Sequence, residues 1–397
     1  MRQLASRLHV IIRELRDARI GTLALASFLR NFGLASLAYV SPLLYKLGAG
    51  KEVIGIYASL SRGLRGAMGA SGLLVAGRRK SLVAGYALLL TSLTLAAMAL
   101  NLTLLTVMAG MLLLNALLSL FSIASSMLAA SIIPPERLGS ALGLFRSAST
   151  TALLVATPLF GALMDMYGAS PVLLASAAAL LASSATYLLI VSRFEEERAG
   201  EVKEGLRARL RLALADRRFL LYEVAVQGRL FIELCFLPLA GVYLMEELGA
   251  GFTEIGLIST VALISSTLLT YASPLLGALG SRWGYKRLYA TSMILCSAYL
   301  LIASLAGSIY EFLAGVILLE ASSSLGMIAA LPLLSKIAGD KRDEYIAVDR
   351  AVGVLPSVTA PALGGLMASS LSFRPMLLTL AILMLAPLCA MITLRTE

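Results

Sequence analysis

The chain has 397 residues, 59% of them hydrophobic and 14% charged, with a mean hydropathy of +0.87, which excludes a soluble globular domain and predicts a protein that crosses a membrane many times. Its net charge of +10 does not imply a nucleic-acid partner: of the 33 Lys and Arg, only Lys46, Lys51 and Arg374 fall in segments predicted on the outer side. That asymmetry follows the preference for positive charge on the cytoplasmic side, and predicts a multi-pass plasma-membrane protein with both termini inside.

Residues 1–18 are polar and arginine-rich, with Leu4, Leu8, Ile11, Ile12 and Leu15 on one face. They read as an amphipathic helix on the inner leaflet or as a solvated lead-in, and not as a cleavable signal. The only histidine, His9, lies in this segment, so no intramembrane histidine relay is expected. Apolar runs then predict twelve helices, at 19–45, 53–76, 81–100, 102–132, 138–165, 171–191, 219–246, 253–279, 287–306, 309–335, 345–369 and 374–394.

The first run is interrupted halfway by Arg30 and Asn31. Arginine at the centre of a membrane helix costs roughly 2.5 to 3.5 kcal/mol and normally faces a protein-lined or watery cavity. The second run carries Arg62 and Arg65 among Gly63, Gly66 and Gly69, and the fourth carries Asn115, Ser119 and Ser122 at helical spacing. The longest hydrophilic stretch, 192–218, bears eight Lys and Arg and divides the chain into an N-terminal bundle, 19–191, and a C-terminal bundle, 219–397. The seventh run holds Gln227, Arg229 and Glu233, and the tenth holds Glu320, Ser323 and Ser324. Cys235, Cys296 and Cys389 sit in apolar runs without metal-ligand spacing and read as packing residues.

The halves repeat each other. Leu47-Gly48-Ala49-Gly50 recurs as Leu248-Gly249-Ala250-Gly251, Pro158-Leu159-Phe160-Gly161 echoes Pro361-Ala362-Leu363-Gly364, and Asp17 and Arg30 find counterparts in Asp216 and Arg229 at an offset of 199 residues. Six helices per copy give both the same orientation, related by an axis along the membrane normal. With Gly277-Ala278-Leu279-Gly280-Ser281-Arg282-Trp283-Gly284-Tyr285-Lys286-Arg287 after the eighth helix, and Gly77-Arg78-Arg79-Lys80 after the second, the chain resembles the major facilitator superfamily over its full length. The aspartate of that family's loop is replaced by Leu74 and Ser281. A cytoplasmic gate is expected from Arg78, Arg79, Arg146, Arg282, Asp349 and Arg350, the last two with Arg146 forming a substitute latch. Thr157-Pro158 and Ala360-Pro361 keep only part of the drug-proton antiporter signature and point to close helix contact.

The resemblance implies an all-α fold of twelve helices in two six-helix bundles, with the first, fourth, seventh and tenth helices lining a central cavity. Most mid-depth polar residues fall on those helices, and the second helix adds Arg62 and Arg65. Four arginines (Arg30, Arg62, Arg65, Arg229) against two carboxylates (Glu233, Glu320) leave two positive charges in excess. Guanidinium groups grip carboxylate or phosphate at two points and stay protonated, so an organic anion is the expected substrate, with Asn31, Asn115 and Gln227 as further contacts. The placement of Arg30 and Arg229 is similar to that in organophosphate-phosphate antiporters. Glu233 and Glu320 are candidates for proton coupling. The structural alternatives are an Arg229–Glu233 pair one turn apart, an Arg30–Glu320 bridge, and Arg62 and Arg65 packed between helices.

The expected activity is secondary transport by alternating access, driven by exchange or a proton gradient, since no phosphate-binding Gly-x-x-x-x-Gly-Lys loop occurs. A proton-coupled exporter of lipophilic or cationic compounds is the rival, and a non-transporting sensor or scaffold a further alternative. No nucleophile–base set or metal cluster stands out, so neither an enzyme nor a metal or cofactor is expected. Membrane lipid and a small solute are the expected partners, with no obligate protein partner evident.

Overall fold

The computed structural model describes residues 17–69, 79–133, 135–194, 216–272, 276, 282–339 and 342–394. The segment 1–16, most of the linker 192–218, and the turn with Gly77 and Arg78 lie outside the described residues. Among the described residues the regular structure is helical: α1 (Ala18–Leu34), α2 (Val40–Lys46), α3 (Lys51–Gly69), α4 (Lys80–Leu100), α5 (Leu104–Ile132), α6 (Pro135–Tyr167), α7 (Ala169–Leu189), α8 (Arg217–Phe236), α9 (Ala240–Leu248), α10 (Phe252–Tyr271), α11 (Tyr285–Leu305), α12 (Ile309–Ala338), α13 (Arg342–Val352), α14 (Val354–Leu371), α15 (Phe373–Leu383) and α16 (Leu385–Thr393). Among the described residues, eleven helical stretches are long and apolar enough to cross a membrane. The expected second span, 53–76, is described only as far as Gly69, as α3, and its remaining residues lie outside the described ones.

The two aspartates that precede the matching apolar runs are helix caps. Asp17 accepts a hydrogen bond from the Arg19 backbone N–H at 3.0 Å and Asp216 from that of Arg218 at 2.8 Å, each satisfying a donor that a helix start leaves open. Both capped helices then break. A 3₁₀ segment at Ala35–Tyr39 separates α1 from α2, and another at Leu237–Leu239 separates α8 from α9. Pro238 lies within the second break and Pro42 three residues beyond the first. Each lacks the N–H that an unbroken helix would use there. The predicted eleventh helix is likewise two, α13 and α14, meeting at Gly353.

Residues 1–47 and 64–202 form one compact unit; 48–63 and 203–397 form the other, so that α3 is shared at Gly63 and Leu64. In the first unit α1 packs on α6 and α7, and α4 on α5 and α7. Hydroxyls tie these helices together: Ser183 donates to Ala26 O at 2.9 Å, Ser92 to Ala177 O at 2.7 Å and Ser184 to Gly85 O at 2.8 Å. Lipid gives helices no hydrophobic reason to associate, so such bonds and close backbone approach carry the packing.

In the second unit α8 packs on α14 and α16, and α11 on α12. A Cβ added to Gly364 would lie 1.9 Å from the Cys235 carbonyl oxygen, and one on Gly365 would lie 3.0 Å from Gly55 Cα. The Pro361–Gly364 segment singled out in the sequence is therefore a surface of helix contact, and only glycine admits the approach.

Candidate functional site

In the first unit, α1, α5, α6 and α7 enclose a cleft of about 230 Å³. Helix α1 presents Leu23, Ser27 and Arg30 at helical spacing; α5 presents Ser125, Ser126 and Ala129; α6 presents Leu142, Phe145, Arg146 and Ser149; and α7 adds Tyr187. Two guanidinium groups and five hydroxyls thus share one lining.

Arg30 is held by aromatic rings. Its guanidinium carbon lies 4.9 Å from the Phe121 ring centroid, and Phe121 meets Tyr187 edge-on with centroids 5.4 Å apart. Among the described residues no carboxylate pairs with Arg30, and its buried Nε has no hydrogen-bond partner. Next to it, Asn31 Nδ2 donates to Ser27 O and to Ser149 Oγ, both at 2.8 Å, bracing α1 against α6.

The α3 arginines have different surroundings. Arg65 donates to Asn115 Oδ1 from Nε at 2.8 Å and also from Nη2. Asn115, buried on α5, gives its own amide N–H to Met111 O at 2.8 Å. Arg65 and Asn115 are therefore committed to each other. Arg62 is half-buried and belongs with the second unit.

In the second unit Arg229, 8% exposed, donates to Ser322 Oγ at 3.0 Å, lies 3.4 Å from Glu233 and stands 5.8 Å from the Tyr289 ring centroid. Ser322 in turn donates to Ser292 O at 2.6 Å. Gly326 leaves space for this guanidinium, since a Cβ there would approach its Nη1 to 2.5 Å. Glu320 is half-buried, facing Ser266 and Glu233. Gln227 Nε2 donates to Asp349 Oδ1 at 3.3 Å, which joins an expected substrate contact to an expected gate residue.

Of the other expected gate residues, Arg79, Arg282 and Arg350 are exposed and Arg78 lies outside the described residues. Arg146, expected at a latch, lines the cleft with Arg30. One buried acid escaped the sequence reading. Glu223 is only 6% exposed, and neither carboxylate oxygen has a hydrogen-bond partner. It sits one turn before Gln227 on α8, so an acidic and an amide side chain at i and i+4 near a helix start was the available signal.

Residues 228–397 match the sequence model of a family described as Major Facilitator Superfamily. No curated protein matches the chain. Among solved structures the chain is similar to the nucleoside transporter NupG, at 14% identity and a TM-score of 0.78 over 95% of this chain and 99% of that one. It is similar to the POT family transporter PepTSo at 11% identity and a TM-score of 0.75, covering 95% and 96%. It also resembles a bacterial homolog of the human lysosomal transporter Spinster, inward-facing and unoccupied, at 12% identity and a TM-score of 0.73, covering 96% and 98%. At these identities the likeness carries the fold.

Proposed function

We propose, from the match of residues 228–397 to the Major Facilitator Superfamily model and from the full-length likeness to transporter structures, that this chain is a secondary active transporter of a small organic anion, a carboxylate or phosphate ester. It works in the plasma membrane with both termini cytoplasmic, as bundles 19–191 and 219–397 joined by the linker 192–218, and moves its substrate by alternating access.

The observation that carries this reading is Arg30 in its cleft. An arginine at mid-span without a carboxylate, oriented by Phe121 and accompanied by Arg146 and serine hydroxyls, offers an anion a planar, permanently charged fork. The sequence-based count of two excess positive charges does not support it, because buried Glu223 and half-buried Asp349 bring the carboxylates to four. What supports it is segregation: those two acids, Glu233 and Glu320 all belong to the second unit, whereas Arg30 and Arg146 belong to the first.

The test is a thermal-shift titration of purified protein with small carboxylates and phosphate esters. Ligands that bind the folded protein raise its melting point. The expected result is a rise with an anion that Arg30→Gln abolishes and Arg30→Lys weakens about tenfold, roughly 1.4 kcal/mol. An unchanged titration in Arg30→Lys would remove the anion assignment.

A second reading, a proton-coupled exporter of lipophilic or cationic compounds, draws on Glu320, whose neighbours are Ser266 and Glu233. Cationic dyes that raise the melting point of wild type but not of Glu320→Gln would favour it.

A further inference from the structure

Glu223, Gln227 and Asp349 form a polar cluster that the anion site does not use. Glu223 and Gln227 lie one turn apart on α8, and Asp349 approaches from α13. Glu223 is more than nine-tenths buried, with Oε1 and Oε2 both unpartnered. The Oε1 of Gln227 is buried and unpartnered as well, while its Nε2 donates to Asp349 Oδ1 at 3.3 Å and to Asp349 O at 3.5 Å. Three buried acceptors of this cluster therefore lack a hydrogen bond of normal geometry, although the Gln227 amide and the Glu223 and Asp349 carboxyl groups are close enough to interact.

A buried acceptor left without a donor costs about 1 to 3 kcal/mol, and an unpaired buried carboxylate more. One proton removes the deficit. Protonated on one oxygen, Glu223 becomes an O–H donor that can satisfy Gln227 Oε1, and the amide passes the polarity on through Nε2 to Asp349. The chain of bonds would run Glu223 to Gln227 to Asp349, with one proton and one negative charge for two carboxyl groups.

Among the described residues no cation is paired with Glu223, and Arg350 acts on Asp349 from the exposed side. On α8 itself, Tyr222 donates its hydroxyl away to Ala330 O of α12 at 3.2 Å. Tyr289 comes from α11, and Arg350, next to Asp349 on α13, is exposed. The junction of α13 and α14 closes the site, since Gly353 abuts Gln227 Oε1 and a Cβ there would come within 3.3 Å.

We propose that Glu223 and Asp349 share one exchangeable proton through Gln227, and that its loading and release is the ion step coupled to transport. This places coupling on a pair of side chains distinct from Glu233 and Glu320, and the coupling half of the statement rests on the reading of the chain as a carrier. The chemistry is a proton transfer only: Glu223 carboxylate plus a proton gives the carboxylic acid, and release returns it to water.

The test is infrared difference titration of the purified full-length protein, following the carboxylic-acid C=O stretch with pH. Wild type is expected to show a band that disappears as pH rises, is absent from Glu223→Gln, and titrates at a different pH in Asp349→Asn. A band retained in Glu223→Gln, or unmoved by Asp349→Asn, overturns the shared-proton assignment. So does a wild type without such a band whose melting point rises with NaCl over choline chloride but does not in Glu223→Gln, since the cluster would then hold sodium. The band needs no substrate, so its loss with intact Arg30-dependent anion binding sinks this proposal alone, whereas failure of the anion titration leaves it standing.

Discussion

The guanidinium of Arg229 lies 3.4 Å from the carboxylate of Glu233, one turn further along α8, while Arg30, its counterpart in the repeated sequence, meets the ring of Phe121. Equivalent arginines thus have opposite electrostatic standing. Arg229 is neutralised within its own helix and fixed by Ser322, and Arg30 keeps its charge available.

Removing one partner of a buried pair strands the other. Arg229→Gln is expected to destabilise the protein by about 3 kcal/mol, and the double substitution Arg229→Met with Glu233→Leu to recover most of that loss. Denaturation in detergent compares the three proteins, and additive losses would contradict the pairing.

The aromatic cradle of Arg30 makes a separate prediction. Phe121→Ala removes a cation–π contact worth about 1 kcal/mol and frees the guanidinium to wander. Anion-induced stabilisation is expected to weaken about fivefold without disappearing. A titration of the Phe121→Ala protein next to Arg30→Gln separates loosening from loss.

Arg65 and Asn115 should behave as one unit. Each is the other's partner in bonds from Nε and Nη2 to Oδ1, so Asn115→Ala and Arg65→Met are expected to be non-additive by about 1 kcal/mol in a double-mutant cycle. Independent effects would return both residues to the list of free polar groups.

Two glycines test the packing of the helices. Gly364→Ala would drive a methyl group into the Cys235 carbonyl and is expected to lower stability by about 1 to 3 kcal/mol. Gly143, on α6, has nothing within 4 Å of an added Cβ, so Gly143→Ala is expected to gain up to about 1 kcal/mol from helix propensity. Melting temperatures of opposite sign for the two variants would confirm the contact.

Most of the fold was legible because membrane spans are set by length and hydropathy, and because Asp17 and Asp216 announce their helices by capping them. The mid-span position of Arg30 was equally plain. Its companion was not: Arg146 reads as a cytoplasmic end charge until α6 is packed on α1, which places it, still exposed, on the lining of the same cleft. Glu223 was invisible for a related reason. Six residues after Arg217 it counts as interfacial, and its burial depends on α13 and α14 meeting α8, a contact between residues more than a hundred positions apart. Sequence periodicity reports which face of a helix is apolar, and is silent on what will cover a polar residue near its end.

The breaks at Ala35–Tyr39 and Leu237–Leu239 fall at corresponding points of the two halves, yet Pro42 and Pro238 do not correspond. One proline sits past its bend and the other inside it. The two halves thus bend at the same depth by different local means, so replacing Pro42 and replacing Pro238 are not equivalent changes.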